Sequence, residues 1–165
     1  MTTISAGVLA PDFTLPRMDD RPFSLAGALQ RGSVVLAFFK ISCPVCQYAL
    51  PFLERIHRAY VDQRISLLGI SQNPKKETAA FLQHYDITFP VVRDDPRGYQ
   101  VSNAYGLTTV PSVFLVDPGG TVEVSSVGWS RGDVAEINRR LAQRLRAEPA
   151  PVFLPGEEVA EWRPG

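Results

Sequence analysis

Short apolar runs alternate with amphipathic stretches along this chain, a pattern typical of a β-sheet with helical crossovers. Residues 34–39 (VVLAFF) are apolar on both faces, which predicts a buried central parallel strand. From Pro44 to about residue 63, apolar side chains recur at spacings of three and four, which predicts a helix. The other predicted elements are a hairpin of strands 13–15 and 22–25, strands 65–70 and 89–92, helices 75–85 and 97–105, a hairpin of strands 112–116 and 121–127, and a helix from Gly132 or Asp133 to about Arg146. This order of elements places the chain in the α/β class.

The chain divides into one domain and a tail. Residues 1–147 hold every predicted element, whereas residues 148–165 contain four prolines and form a C-terminal tail. Val152, Phe153 and Trp162 make this tail too apolar for a purely solvated linker. We therefore expect part of the tail to pack on the domain, or on a neighbouring copy of the chain.

Composition and charge argue against several classes of function. The chain is 45% hydrophobic and 21% charged, as expected of a globular protein, and its 17 basic and 17 acidic residues cancel. Zero net charge provides neither a basic face for nucleic acid nor a polybasic membrane anchor, so we expect neither partner. No apolar run approaches the roughly 20 residues of a membrane span. No secretory signal is recognised in the first residues, so we expect a cytoplasmic protein.

The two cysteines form the motif Cys43-Pro44-Val45-Cys46 at a predicted strand-to-helix turn. In a reducing compartment such a pair is more often catalytic or metal-binding than structural. The unpaired N–H groups and the dipole at a helix N-terminus favour a thiolate, which makes Cys43 the predicted nucleophile. Pro44 is tolerated in the first helical turn because its missing N–H would have no partner there. Cys46 lies one turn along the same face, within reach of Cys43, and is the predicted resolving cysteine.

Three other interpretations of the cysteine pair stay open: half of a zinc site, two buried inert thiols, and an inherited motif without activity. Zinc needs further ligands, and the other soft or borderline candidates are His57 and His84. On one continuous helix His57 lies roughly 16 Å from Cys46, too far to share a metal ion with it. We predict no metal, and no cofactor besides a redox-active Cys43–Cys46 disulfide.

Several motifs together resemble a known family. They are APDFTL at residues 10–15, the strand 34–39, CPVC, Pro51 within the helix, and Val110-Pro111-Ser112 before an apolar strand. These motifs are similar to those of the thioredoxin-like redoxins, which include AhpC/TSA peroxiredoxins and TlpA/ResA-type thiol–disulfide oxidoreductases. The resemblance runs from about residue 7 to residue 146. It implies a thioredoxin fold, with a central mixed sheet flanked by helices, an N-terminal β-hairpin and an extra strand–helix insertion at about 74–94.

The same resemblance implies roles for individual residues. Pro111 is expected to be cis and to pack against the disulfide. The backbone of Thr109 and Val110 is expected to pair with an extended substrate chain by strand addition. Pro44 and Val45 are expected to contact the substrate and to tune the reduction potential.

The chain departs from the family pattern at three positions, two of which carry proton-transfer groups in the family. Ala37 stands where thioredoxins have a buried Asp, and Ala49 where ResA-like proteins have a Glu; Ser42 replaces the Trp usual in TlpA-like proteins. Lys40, three residues before Cys43, is our candidate replacement, since its ammonium would stabilise the Cys43 thiolate or shuttle its proton. The alternative is a lysine that only reaches solvent at a strand end.

We predict a thiol–disulfide oxidoreductase that acts on protein or small-molecule disulfides and dithiols and is recycled by a separate reductant. One alternative is a non-catalytic thioredoxin-like module that holds a peptide near Pro111. Another is a peroxiredoxin-like thiol peroxidase with an antioxidant role.

The peroxiredoxin signature Pro-x-x-x-Thr/Ser-x-x-Cys is absent from the cysteine motif. Aligned on Cys46, its Pro and Thr/Ser positions are Phe39 and Cys43; aligned on Cys43, its Thr/Ser position is Lys40. A peroxidase would also need a cation to hold the peroxide, for which the sequence offers Arg93 and Arg131 as candidates.

Overall fold

Nine strands and five helices form the described part of the chain, residues 2–61 and 63–165 of a computed structural model. In chain order they are β1 (Thr14–Pro16), β2 (Pro22–Ser24), α1 (Leu25–Leu29), β3 (Ser33–Phe39), α2 (Pro44–Tyr60), β4 (Ile65–Ser71), α3 (Lys75–His84), β5 (Val91–Arg93), α4 (Gln100–Ala104), β6 (Ser112–Val116), β7 (Val122–Val127), β8 (Trp129–Ser130), α5 (Arg131–Leu145) and β9 (Trp162–Arg163).

The main sheet has the strand order β5-β4-β3-β6-β7, with β3 in the centre. β3 runs parallel to β4 and antiparallel to β6, so that Val35 lies between Leu67 and Leu115. Every residue of β3 is buried, as its continuous apolar run predicts. The predicted α/β class and the central strand are therefore confirmed.

The N-terminal hairpin of β1 and β2 is present, but its second strand is shorter than predicted. The predicted strand 22–25 stops at Ser24, because Ser24 Oγ accepts the N–H of Gly27 at 3.1 Å and thereby begins helix α1. The sequence pattern did not indicate this helix, which has five residues.

Other boundaries shift by a few residues. Helix α2 ends at Tyr60 rather than near residue 63, and Asp62 lies outside the described residues. Helix α5 begins at Arg131 rather than at Gly132 or Asp133, because the hydroxyl of Ser130 accepts the N–H of Asp133 and caps it. The predicted strand 89–92 is β5, and the predicted helix 97–105 is the shorter α4.

The tail, residues 148–165, packs on the domain by buried side chains and hydrogen bonds. Val152 is buried, and Tyr60 Oη accepts the N–H of Ala150 at 2.9 Å. Arg55 forms a bidentate pair with Glu157, with N–O distances of 2.7 and 2.8 Å. The tail ends as strand β9, antiparallel to β8.

Among the described helices, none has the length and apolar character needed to span a bilayer.

Candidate active site

Cys43 occupies the N-cap position of α2, directly after the turn that follows β3. Its Sγ accepts the N–H of Cys46 at 3.1 Å, and its S–H donates to the carbonyl oxygen of Val110 at 3.4 Å. The side chain is half-buried, so the sulfur is within reach of solvent. A sulfur that accepts a helix N-terminal N–H is placed where the helix dipole stabilises negative charge, as the sequence predicts.

Cys46 has a different environment, although it lies only one helical turn away. It is fully buried among the apolar side chains of the core. Burial, followed by the hydrogen bond with Cys43, raises the pKa of the Cys46 thiol well above its ordinary value. Both cysteines are free thiols in this structure. The pair is thus asymmetric: the sulfur of Cys43 accepts an N–H at the helix N-terminus, whereas the thiol of Cys46 is buried and held neutral.

The loop before β6 carries three predicted site residues, Thr109, Val110 and Pro111, of which Val110 contacts Cys43. The peptide bond between Val110 and Pro111 is cis, which confirms that prediction. Ser112 Oγ donates to the Thr109 carbonyl at 2.9 Å, and the N–H of Gly128 donates to the Pro111 carbonyl at 2.8 Å. These bonds fix the loop at both ends. The carbonyl of Val110 in this loop accepts the S–H of Cys43, which lies 67 positions earlier in the chain.

The turn between β3 and Cys43 is held by two side chains that the sequence analysis did not place there. Asn73 Oδ1 accepts the N–H of Ile41 at 2.9 Å, and Gln47 Nε2 donates to the Ile41 carbonyl at 2.8 Å. The N-cap of α3 is Pro74, without a side-chain bond, so Asn73 does not cap that helix. The amide of Asn73 serves the cysteine turn instead. Because β3 and β4 are parallel neighbours, a polar residue just after β4 is expected to lie beside the turn that follows β3, and this would have indicated the role of Asn73.

Lys40 lies at the end of β3 and lines a cavity beside the loop. Its Nζ is 5.7 Å from the centre of the Tyr99 ring, within range of a cation–π contact. Its positive charge acts on Cys46, where it lowers the pKa against the larger effect of burial. Pro44 is exposed and Val45 is half-buried in the first turn of α2. The roles expected for these three residues stay predictions.

The two arginines considered as peroxide-binding cations are engaged elsewhere. Arg93 donates to Asp20 Oδ1 at 2.5 Å and to the Arg17 carbonyl at 3.1 Å. Arg131 pairs with Glu161 in the tail at 3.3 Å.

Aromatic side chains connect the active-site helix to the tail. Tyr48 Oη accepts the N–H of Ala160 at 3.0 Å, and Trp129 Nε1 donates to the Ala160 carbonyl at 2.6 Å. The two rings meet edge to face, with centroids 5.2 Å apart. Tyr48, two residues after Cys46, therefore anchors the tail.

In the described ranges, no cluster of three or more His, Cys, Asp or Glu side chains is placed to hold a metal ion.

Comparisons with known proteins agree with this geometry. The model of the AhpC/TSA family matches residues 6–125. The thiol–disulfide oxidoreductase ResA of Geobacillus thermodenitrificans is 32% identical over 123 residues, which cover 74% of this chain and 69% of that protein. The thioredoxin-like protein YneN of Bacillus subtilis is 27% identical over 129 residues, covering 76% of this chain and 73% of that protein.

Solved structures show the fold. The thioredoxin domain of a thiol–disulfide oxidoreductase from Bacteroides vulgatus superposes with a TM-score of 0.74 at 18% identity, covering 84% of this chain and 99% of that one. A putative DsbE-type thiol:disulfide interchange protein from Chlorobium tepidum gives a TM-score of 0.75 at 23% identity, covering 87% and 99%. The predicted thioredoxin fold is confirmed.

Proposed function

The chain belongs to the AhpC/TSA family, and on that premise we propose that it is a thiol–disulfide oxidoreductase in which Cys43 attacks and Cys46 resolves. The observation that carries the proposal is the asymmetry of the two thiols. Cys43 is half-buried, and its sulfur accepts a helix N-terminal N–H, whereas Cys46 is fully buried with a raised pKa. A nucleophile and a resolving thiol need this difference, because the first attack must come from one defined sulfur.

The reaction runs in two exchange steps that balance. The Cys43 thiolate attacks one sulfur of a disulfide R–S–S–R′, forms a mixed disulfide with it, and releases R–S⁻, which takes a proton from water. Cys46 then gives its proton to water, attacks Cys43 Sγ and releases R′–S⁻, which takes up a proton, as the Cys43–Cys46 disulfide forms. The substrate gains two electrons and the protein loses two. A separate dithiol donor returns the protein to its starting state by the same exchange in reverse.

Lys40 is our candidate for stabilising the Cys43 thiolate. Its ammonium is among the influences that lower the pKa of the neighbouring Cys46, against the larger effect of burial, which supports this role. We expect Lys40→Met to raise the pKa of Cys43 in a thiolate titration followed by ultraviolet absorbance. An unchanged titration would remove Lys40 from this role.

The proposal is tested by trapping the mixed disulfide. Cys46→Ser removes the resolving thiol, so one substrate half should stay attached to Cys43 and appear in the intact mass of the protein. Cys43→Ser should form no adduct and reduce no disulfide, because its remaining thiol is buried and neutral. Equal adduct formation by both variants would contradict the assignment of roles.

A thiol peroxidase is the second candidate, favoured by the match to a family that includes peroxiredoxins. Here Cys43 would be oxidised to a sulfenic acid while the peroxide releases water or an alcohol, and Cys46 would condense with it, releasing water. Hydrogen peroxide and a disulfide are compared under identical conditions with freshly reduced protein. A peroxide rate near that of free cysteine supports disulfide exchange, whereas a rate several orders of magnitude higher supports the peroxidase and its antioxidant role.

The cytoplasmic location expected from the sequence stays a prediction. One related structure is described as that of a secreted disulfide oxidoreductase from Mycobacterium tuberculosis. Cell fractionation of the natural gene product, with alkylation of its thiols before lysis, tests both the compartment and the resting redox state.

A further inference from the structure

A cavity of about 340 Å³ lies against the loop that contacts the candidate nucleophile. It is bounded by the end of β3, by α4 and by the loop before Pro111. Val110 lines it, and the carbonyl of the same residue accepts the S–H of Cys43 at 3.4 Å. Sites for small molecules begin at about this volume. This volume is large enough for one arm of a small disulfide.

Lys40 is the one charged side chain among the described residues that line this cavity. Its Nζ faces the Tyr99 ring, and no carboxylate in the described ranges lies within ion-pair distance of it. Thr108 and Asn103 add polar side chains to the lining. A half-buried ammonium without a counter-charge favours an anionic ligand, since such a ligand forms a charge-assisted hydrogen bond with it.

The carboxylate of Asp94, which binds Ser102 of this lining, is already satisfied. It accepts the N–H of Ser102 at 2.8 Å, the hydroxyl of Ser102 at 2.7 Å and the N–H of Val101 at 3.3 Å. Gln72 Nε2 donates to the same hydroxyl at 2.9 Å. This buried network fixes the floor of the cavity and leaves the ammonium of Lys40 for a ligand.

The tail limits what else can approach the loop. Residues 162–165 run past Gly128 to the loop, where a Cβ added to Gly165 would collide with the Val110 carbonyl oxygen and lie 2.5 Å from Thr109 Oγ1. An extended peptide would need this same backbone to pair by strand addition. The tail therefore occupies the surface where an extended peptide would pair. None of its described residues lines the cavity, which stays open.

We propose that the substrate of Cys43 is a small disulfide with a terminal carboxylate, that Lys40 determines the preference for negative charge, and that residues 162–165 keep extended peptides off the loop. The inference rests on the proposed function and uses the same two exchange steps. The substrate carboxylate lies at the Lys40 ammonium, and its disulfide presents one sulfur to Cys43.

Three disulfides of similar length and different charge test the preference: dithiodipropionate (anionic), bis(2-hydroxyethyl) disulfide (neutral) and cystamine (cationic). Each is mixed in excess with the pre-reduced full chain, and the rate is divided by that of dithiothreitol with the same disulfide. We expect this relative rate to be roughly tenfold higher for dithiodipropionate than for cystamine, because complementary charge raises association rates.

Lys40→Gln should abolish the preference. The matched control is Arg31→Gln, which removes the same charge from an exposed site at the far end of β3, roughly 20 Å away and beyond the screening length. A lysine that acted only through the Cys43 thiolate would slow all three disulfides alike and leave their ratio unchanged. Equal relative rates in the natural chain, or an unchanged ratio in Lys40→Gln, would overturn the proposal. If no disulfide reacts at all, the proposed function itself fails.

Deletion of residues 162–165 tests the tail. We expect the ratio of insulin reduction to dithiodipropionate reduction to rise several-fold, because the loop becomes available for strand addition. Thermal unfolding checks that the shortened chain is folded, and Trp162→Ala, which keeps the backbone over the loop, should leave the ratio at its original value. A full chain that reduces insulin as readily as the shortened one would overturn the role of the tail.

Discussion

The loop that carries Val110 and Pro111 has two sides of different construction. On the tail side, Trp129 is only 1% exposed, and its ring packs against Phe52 and Tyr48 with centroids 4.9 and 5.2 Å apart. On the cavity side, Lys40 faces about 340 Å³ of space. Dense packing and satisfied hydrogen bonds stabilise a fold, whereas an open polar cavity with an unpaired charge costs stability and offers binding. We therefore expect substitutions on the tail side to change stability and those on the cavity side to change reactivity.

The largest effect is expected at Trp129. Trp129→Ala removes a buried ring and the bond to the Ala160 carbonyl, which should lower the free energy of unfolding by about 3–5 kcal/mol in a denaturant titration. Trp162→Ala is the matched control, because Trp162 lies in the tail and is 61% exposed. A loss below about 1 kcal/mol for Trp129→Ala would mean that the tail side does not carry the stability assigned to it.

Tyr60→Phe should give the next largest effect. Tyr60 Oη donates to Asn138 Oδ1 at 2.5 Å and accepts the N–H of Ala150, while Asn138 Nδ2 donates to the Ala150 carbonyl at 2.8 Å. Loss of the hydroxyl leaves the buried Asn138 Oδ1 and the half-buried N–H of Ala150 without this partner, at a cost of about 1–3 kcal/mol in unfolding free energy. Tyr85→Phe, at a half-buried tyrosine outside this network, should be close to neutral. Equal losses in the two variants would contradict this view of the network.

The ion pair between Arg55 and Glu157 should make the tail side sensitive to pH. The hydrogen bond from Arg55 lowers the pKa of Glu157 to about 2, so the ionised carboxylate is favoured in the folded state. Its stabilisation is complete above the ordinary pKa of 4.5 and is lost as the pH falls toward 2. The stability difference between the natural chain and Glu157→Gln should be constant above pH 5 and disappear near pH 2.

Glu158→Gln is the control for this titration, because Glu158 is exposed. Chemical denaturation of the three proteins across the pH range measures the difference. A gap between the natural chain and Glu157→Gln that persists at pH 2 would show that the pair is not its source.

The smallest change in stability is expected on the cavity side. Lys40→Gln loses a partly solvated cation–π contact with Tyr99, so its unfolding free energy should stay within about 0.5 kcal/mol of the natural value. The same variant is expected to lose the charge preference among disulfides. A stability loss above about 1 kcal/mol would make Lys40 a structural residue and weaken the contrast between the two sides.

Hydrophobic patterns and short motifs were sufficient to predict the elements whose structure depends mainly on neighbouring residues in the sequence. The apolar run of β3 identified the central strand, and the motif Cys43-Pro44 at its end identified the start of the active-site helix. Helix α1 was missed because five residues are too few to show a period.

Bonds between distant parts of the chain could not be predicted. Asn73 reaches Ile41 across 32 positions, and Tyr48 meets Ala160 across 112. Such bonds depend on how the strands and the tail come together in the fold. The hydrophobic periodicity of one segment does not indicate which distant residue its side chains will bind. The position of Lys40 next to the cysteine turn follows from the sequence, but the cavity that it lines is formed by α4 and the loop before Pro111.

The position of the tail in the chain has a consequence for biosynthesis. A ribosome delivers the whole sheet, both cysteines and the loop before Pro111 ahead of residues 148–165. Arg55 must wait for Glu157, which follows it by 102 positions, before the two can pair. A nascent chain therefore acquires its reactive thiols before the strand-pairing surface beside them is covered. During that interval, neighbouring unfolded chains have access to the loop, and that access ends once residues 148–165 have been synthesised and packed.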